Sequence, residues 1–132
     1  MTSYHFSVTV SGDFDDVVER TKQALAAEGF GVLSDIDVAA TMKAKLDVDR
    51  PPYRILGACN PPMAHQALEA DPAIGVLLPC NVVVREESEG RVLVDFMDPE
   101  AVLELVAKPG IEKVAGEVRT RLEMARDTLA RS

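Results

Sequence analysis

The chain has no tryptophan and little of the residue types from which metal sites and catalytic sites are commonly built. Its 132 residues include only two cysteines and two histidines, and aromatic residues make up 5%. Two cysteines fall short of the four ligands that a structural metal site usually has. The chain also has no Cys-x-x-Cys, no His-Glu-x-x-His and no phosphate-cradling glycine loop. Motif patterns therefore assign no catalytic residue, no metal site and no cofactor.

Basic residues are few compared with acidic ones. The chain has 14 Lys and Arg against 22 Asp and Glu, a formal net charge of -8. Nucleic-acid backbones and anionic membrane surfaces bind clustered Lys and Arg, so neither is an expected partner.

Long hydrophobic runs are also lacking. The longest nearly apolar run, residues 73–84, is too short to cross a membrane and contains Pro79 and Asn81. The amino terminus has neither the basic residues nor the long apolar stretch of a secretory signal. We therefore expect a cytoplasmic protein, in which the two cysteines are thiols rather than a disulfide.

What the sequence does contain is an ordinary globular composition. Hydrophobic residues make up 47% and charged residues 27%, and 132 residues suffice to bury one core. We find no repeat, linker or low-complexity segment, and we expect a single domain spanning residues 1–132.

Hydrophobic periodicity predicts an α+β fold. Alternating apolar residues predict strands at residues 4–10, 31–38, 53–59, 76–86 and 91–97. Helical spacing, with Asx-Pro and glycine boundary signals, predicts helices at residues 14–28, 39–46, 61–70, 99–106 and 111–129. The resulting order, β-α-β-α-β-α-β-β-α-α, predicts a largely antiparallel sheet of about five strands with helices packed on it.

Two details of this pattern affect the candidate site. Val32, Ser34 and Ile36 alternate together and are predicted to share one face of the second strand. Pro79 lies inside the predicted strand 76–86, where its missing amide suggests a bulge. Such a bulge would turn a neighbouring side chain toward a cleft.

Each cysteine is followed by an asparagine, and the first pair is predicted to lie where a strand meets a helix. Asn60 before Pro61 is a helix-start signal, since an Asn side chain can accept from free amides. A thiol near that helix end would be favoured as the thiolate, which would make Cys59 reactive. The plainer interpretation is that Cys59 is a small buried apolar residue and Asn60 a simple cap.

The second pair, Cys80 and Asn81, follows Pro79 in the predicted fourth strand. Cys80 has the strand parity of Val82, and Asn81 has the opposite parity. A buried Asn81 amide needs partners, and the plainer interpretation is that it satisfies the backbone interrupted by Pro79. The sharper hypothesis is that the two pairs, Cys59-Asn60 and Cys80-Asn81, line one pocket.

Both pairs lie in segments that resemble a known family. The segments are Y-R-I-L-G-A-C-N-P-P (53–62), I-G-V-L-L-P-C-N-V-V-V-R (74–85), E-G-F-G-V-L-S-D-I-D-V (28–38) and M-D-P (97–99). They are similar to the bacterial and archaeal family called domain of unknown function 302, over roughly Phe6 to the final helix. The resemblance implies an α+β fold and a homodimer, with no settled activity. The family usually has a glycine where this chain has Asp47.

The leading hypothesis from the sequence is a homodimeric binding or accessory protein. Its pocket would hold a small molecule, oriented by the amides of Asn60 and Asn81 and bound by apolar walls.

Three alternatives stay open. In a thiol-dependent redox enzyme, Cys59 would be the nucleophile and Cys80 the resolving thiol, which requires Cα atoms within about 7 Å. In a soft-metal site, both thiolates would bind with help from a dimer partner or from His65. His65 is, however, predicted to be a surface residue beside Glu69. The last alternative is a purely structural dimer without a ligand.

Overall fold

The structure, a computed structural model, describes residues 3–132. Its strands are β1 (His5–Ser11), β2 (Gly31–Asp37), β3 (Tyr53–Cys59), β4 (Cys80–Ser88) and β5 (Arg91–Met97). Its helices are α1 (Phe14–Ala27), α2 (Val38–Leu46), α3 (Pro61–Ala70), α4 (Pro99–Leu103) and α5 (Ile111–Ala130), and a 3₁₀ helix covers Pro72–Leu77. The predicted single-domain α+β fold is confirmed.

The strands form one five-stranded sheet in the order β1-β5-β4-β3-β2. Every neighbouring pair is antiparallel. The predicted hairpin is formed by β4 and β5, which lie next to each other near the centre. In the part of the chain that the structure describes, β2 pairs only with β3, so its outer edge has no strand partner.

The hydrophobic core lies between one face of the sheet and the helices. On β4 and β5, alternate residues are completely buried, namely Val82, Val84, Val92, Val94 and Phe96. Helices α1 and α5 pack against each other and against strands of the sheet, α1 over β4 and β5 and α5 over β1, while α3 and α4 contact α5. Because side chains alternate along a strand, the opposite face of β4 and β5 is not covered by these helices.

The segment before β4 differs from the sequence prediction. Residues 76–86 were expected as one strand, but Pro72–Leu77 is a 3₁₀ helix and the strand begins at Cys80. The side chain of Asp71 accepts a hydrogen bond from the Ala73 amide, and Pro72 occupies the start of the turn. These are helix-start features, and they outweigh the apolar composition of the segment. Pro79 therefore precedes the strand and does not interrupt it.

Strand β2 contains a bulge that the sequence pattern did not reveal. Val32 pairs with Ala58 but Ser34 pairs with Gly57, so Leu33 is left over between them. The extra residue reverses the parity beyond it. The prediction that Val32 and Ile36 share a face is therefore wrong: Val32 packs against the core and Ile36 is 50% exposed.

Helix α2 buries none of its residues. It ends at Asp47, whose φ of 54° places it in the left-handed region. Glycine reaches this conformation without steric cost, and Asp reaches it more easily than most residues. The unusual residue is thus compatible with the helix end. No helix within residues 3–132 is long and apolar enough to cross a membrane.

Candidate functional site

A cavity of about 290 Å³ lies at one end of the sheet. It is bounded by the ends of β3 and β4, by α3, by the 3₁₀ helix and by α5. Its apolar walls include Phe30, Met63, Ala67, Leu103, Val114 and Val118. None of its lining residues is Asp, Glu, Lys, Arg or His. The cavity is thus an uncharged, mainly apolar space.

Three of the four residues singled out in the sequence line this cavity: Cys59, Asn60 and Cys80. Cys80 pairs with Ala58 across β3 and β4, and Cys59 is the next residue along β3. The folding of β3 beside β4 thus brings residues of both Cys-Asn pairs to the same hollow.

Asn81 is not among these residues. It pairs with Gly57, is exposed, and lines a second cavity of about 430 Å³ on the uncovered face of the sheet. Since Pro79 precedes the strand, no bulge redirects Asn81, and strict alternation places it opposite Cys80. Its amide is open to water and carries no burial cost.

The second cavity is more polar than the first. Arg85 and Asp95 both line it, and Arg85 Nε donates to Asp95 Oδ2 at 2.7 Å. Ser7 Oγ donates to the other oxygen of Asp95. The carboxylate of Asp95 is therefore already paired within the chain.

Asn60 occupies the cap position of α3 but does not act as a cap. Its side chain makes no capping hydrogen bond, and Nδ2 instead donates to the Glu28 carbonyl at 3.5 Å. Arg121 donates to the same carbonyl at 3.2 Å. Asn60 thus connects α3 to the end of α1, which corrects its prediction as a simple cap. Because a carbonyl only accepts, this contact assigns the nitrogen to the side of the amide that faces Glu28.

The oxygen of this side chain is left without a partner. Asn60 is 8% exposed, and Oδ1 accepts no hydrogen bond from any residue between 3 and 132. The atom is not completely sealed, since Arg20 Nε is the only fully buried side-chain nitrogen or oxygen without a hydrogen-bond partner among residues 3–132. Oδ1 is thus an acceptor that no protein group uses, on a mostly buried side chain that lines the cavity.

The N-terminus of α3 offers few free amides to an anion. This does not support the prediction that the helix end favours a Cys59 thiolate. The first two helical positions are Pro61 and Pro62, which have no amide hydrogen. The Ala64 amide is already bonded to the Asn60 carbonyl at 2.9 Å. Among the first helical residues only Met63 offers a free amide, so little remains to stabilise a thiolate.

Cys80 is the more deeply buried thiol. Burial and, to a smaller extent, the nearby Cys59 together raise the pKa of Cys80 from 9.0 to about 12. Cys80 is therefore a neutral thiol at physiological pH. A resolving cysteine must attack as the thiolate, so this environment does not suit the redox alternative.

A disulfide between the two cysteines is also disfavoured by the strand geometry. Both cysteines are free thiols in the structure. Cys80 lies opposite Ala58, and Cys59 follows Ala58. Consecutive strand residues direct their Cβ atoms to opposite faces, whereas a disulfide needs two Cβ atoms about 3.8 Å apart.

The soft-metal alternative lacks further ligands. Within residues 3–132 no group of three or more His, Cys, Asp or Glu side chains is placed to hold a metal ion. His65 is exposed on α3, with Nε2 3.7 Å from Glu69, as the sequence predicted. It does not line the cavity that contains the thiols.

Four residues of the cavity wall, namely Phe30, Leu103, Val114 and Val118, were not identified as site residues from the sequence. Val114 and Val118 were recognised only as part of the apolar stripe of the last helix, and Phe30 and Leu103 were not singled out. They come from distant segments that meet only in the folded chain. Periodicity shows which face of a helix is buried but not that packing there leaves a space.

Comparison with known proteins confirms the family that the sequence resembles. The family described as "Domain of unknown function DUF302" matches residues 6–129. The search of curated proteins found no match. The crystal structure of an uncharacterized conserved DUF302 protein from Bacillus stearothermophilus is similar, with a TM-score of 0.89 and 29% identity. The match covers 97% of this chain and 99% of that chain. From residue 6 to residue 129 this chain is a DUF302 domain, and it belongs to that family.

Proposed function

We propose that this protein binds a small, neutral, largely apolar molecule in the cavity lined by Cys59, Asn60 and Cys80. The observation that carries the proposal is an uncharged cavity of about 290 Å³ lined by Asn60, whose amide oxygen accepts no hydrogen bond from residues 3–132. Ligand sites are typically concave, mainly apolar spaces with a few placed polar groups. An apolar cavity of about 150 Å³ accepts benzene, so this one is large enough for a fused two-ring molecule.

The same features support binding rather than catalysis. No charged residue lines the cavity, and Cys80 is held as a neutral thiol because burial raises its pKa to about 12. General acid–base catalysis needs a titratable group within reach of the substrate, and nucleophilic catalysis needs an activated nucleophile. A binding or accessory role requires neither.

A cavity-filling variant tests the proposal. Ala67 is 2% exposed and lines the cavity, so Ala67→Leu places extra carbon atoms in or beside the ligand space. Ala26→Leu, at an exposed position of α1, is the matched control. Naphthalene serves as the neutral probe, with binding followed by its own fluorescence. We expect at least tenfold weaker binding in Ala67→Leu and unchanged binding in Ala26→Leu.

Two results would contradict this proposal. Wild-type protein that does not bind naphthalene would remove its basis, and equal binding by both variants would place the probe outside this cavity. Thermal unfolding of each variant checks that it folds. Native mass spectrometry of untreated protein offers a second measurement, since a retained neutral ligand would appear as added mass that is lost on denaturation.

We further propose that the protein is a cytoplasmic homodimer, and that β2 and α2 form the contact between the copies. No residue of either element is buried, and Ile36 and Leu46 are 50% and 66% exposed. Exposed apolar residues beside an unpaired strand edge are suited to pairing with a second copy. The two free thiols are compatible with a reducing compartment.

A further inference from the structure

The unpaired oxygen of Asn60 restricts the kind of molecule that fits the cavity. Nδ2 of this side chain is directed to the Glu28 carbonyl, which leaves Oδ1 as the free atom. An amide oxygen can only accept a hydrogen bond. A ligand that pairs with it must therefore bring a donor.

A charged donor is disfavoured. No carboxylate lines the cavity, so an ammonium group would lose its hydration with no opposite charge to replace it. An anionic ligand is equally unsuited, because Pro61 and Pro62 remove two of the amides that a helix N-terminus usually offers. The group opposite Asn60 must therefore be an uncharged donor.

The opening of the cavity is apolar. Leu33 and Leu68 both line the cavity, and they are 71% and 42% exposed. Apolar residues at the opening favour a ligand whose hydrocarbon part extends from the donor toward the surface. Such a ligand would cover these leucines while its polar end is buried.

We propose that the ligand is a neutral alcohol or phenol whose hydroxyl group donates to Asn60 Oδ1 and whose apolar body lies against the leucines at the opening. This inference rests on the proposed binding function and adds the chemical class of the ligand. Asn60 is then a specificity residue, because its Oδ1 is an acceptor that no donor among residues 3–132 occupies.

Three naphthalene derivatives of similar size test the proposal: 2-naphthol, 2-methoxynaphthalene and 2-naphthoate. On burial of apolar area alone, the methyl ether would bind about fourfold more tightly than the alcohol, because it has one more carbon. A hydrogen bond to Oδ1 reverses this order. We expect wild-type protein to bind 2-naphthol about five- to tenfold more tightly than the ether. We expect it to bind 2-naphthoate at least tenfold more weakly than 2-naphthol.

Asn60→Leu has a similar volume and no acceptor. In this variant the preference for 2-naphthol over the ether should disappear, while binding of unsubstituted naphthalene is kept or strengthened. If Asn60→Leu does not fold, the comparison of the three ligands on wild-type protein decides the question without it.

The possible failures are distinguishable. Binding of naphthalene without preference for the alcohol would overturn this inference and leave the proposed binding function standing. A preference that persists in Asn60→Leu would likewise overturn it. Binding of none of the compounds would overturn the binding function, and the inference with it.

Discussion

Cys59 and Cys80 line one cavity but differ in how deeply they are buried. Cys80 is 6% exposed, and burial raises its pKa from 9.0 to about 12, whereas Cys59 is half-buried. At pH 8 a shift of about three pKa units lowers the thiolate fraction about a thousandfold. Iodoacetamide should therefore modify Cys59 first in native protein and leave Cys80 almost unmodified.

The measurement is peptide mass spectrometry after timed alkylation at pH 8. Alkylation in denaturant is the control, and both thiols should then react at similar rates. Similar rates in native protein would show that the Cys80 thiol is accessible to the reagent and that its pKa is not strongly raised.

Asp35 is a second residue whose pKa is shifted by its surroundings, and the shift predicts that folding stability depends on pH. Hydrogen bonds from Arg54, at 2.7 and 2.5 Å, and then from Lys22 lower its pKa from 3.8 to about 2. A carboxyl group with a lowered pKa stabilises the fold above about pH 4, and this contribution disappears as pH falls toward 2. Asp35→Asn should therefore cost about 1 kcal/mol of unfolding free energy at pH 6.

Urea unfolding at several pH values checks this prediction. The difference between wild type and Asp35→Asn should narrow steadily between about pH 4 and pH 2. Asp49→Asn is the matched control, since its carboxylate is 88% exposed beside Lys43 and should have no measurable effect. A difference that does not change with pH would mean that the Asp35 charge is not the cause.

At the residue scale the sequence indicated part of the site. Cys59, Asn60 and Cys80 could be singled out because each lies beside a boundary signal, Pro61 or Pro79. Asn81 was misplaced because Pro79 was assigned to the interior of a strand, and its position outside the strand restores simple alternation. The role of Asn60 at Glu28 was not predictable, because it joins residues from separate helices.

At the scale of elements, Gly57 of β3 lies where Ser34 of β2 and Pro79, just before β4, approach the strand closely. A Cβ atom at this position would lie 2.9 Å from Pro79 Cγ and in contact with Ser34 Oγ. Real Cβ atoms do not approach other atoms so closely, so Gly57→Ala must push the strands or the Pro79 turn away. We expect a loss of about 1 to 3 kcal/mol in unfolding free energy.

Gly31 provides the control for this substitution. It lies on the adjacent strand β2, and no atom lies within 4 Å of a Cβ atom added there. Gly31→Ala should therefore leave the unfolding free energy almost unchanged. Chemical denaturation measures both variants. Adding Ser34→Ala to Gly57→Ala should recover part of the loss, and equal stability of the two alanine variants would exclude the steric explanation.

The elements themselves were largely predictable from local signals. Strands and helices with a clear period of two or of 3.6 residues lie where the sequence placed them. One helix is shorter than predicted, since α4 ends at Leu103 and not at residue 106. The two larger errors both involve a local feature without a periodic signature. The 3₁₀ helix Pro72–Leu77 is an apolar segment with a capped start, and the β2 bulge depends on pairing with β3.

At the scale of the whole molecule, the proposed homodimer can be tested through β2 and α2. Ile36→Lys places a charge on the uncovered side of β2, and it should shift the protein from dimer to monomer because burying that charge is costly. Light scattering coupled to size-exclusion chromatography measures the mass. Leu105→Lys is the control, since Leu105 is 81% exposed but lies outside β2 and α2.

The dimer prediction fails if wild-type protein is a monomer. It also fails if Ile36→Lys remains a dimer while another exposed position controls assembly.

Strand order, like the assembly state, is a property that local sequence signals do not contain. The antiparallel hairpin of β4 and β5 could be predicted from its short turn, but the placement of β1 beside β5 could not.

That placement affects how the chain can fold. Ser11 pairs with Arg91 and His5 with Met97, whereas the other four strands form a continuous meander of neighbours. Contacts between distant segments carry the larger loop-closure cost and form slowly. During synthesis from the amino terminus, the first strand must wait for the ribosome to produce its partner. We therefore expect the meander to assemble first and the amino-terminal strand to dock last, as the late step of folding.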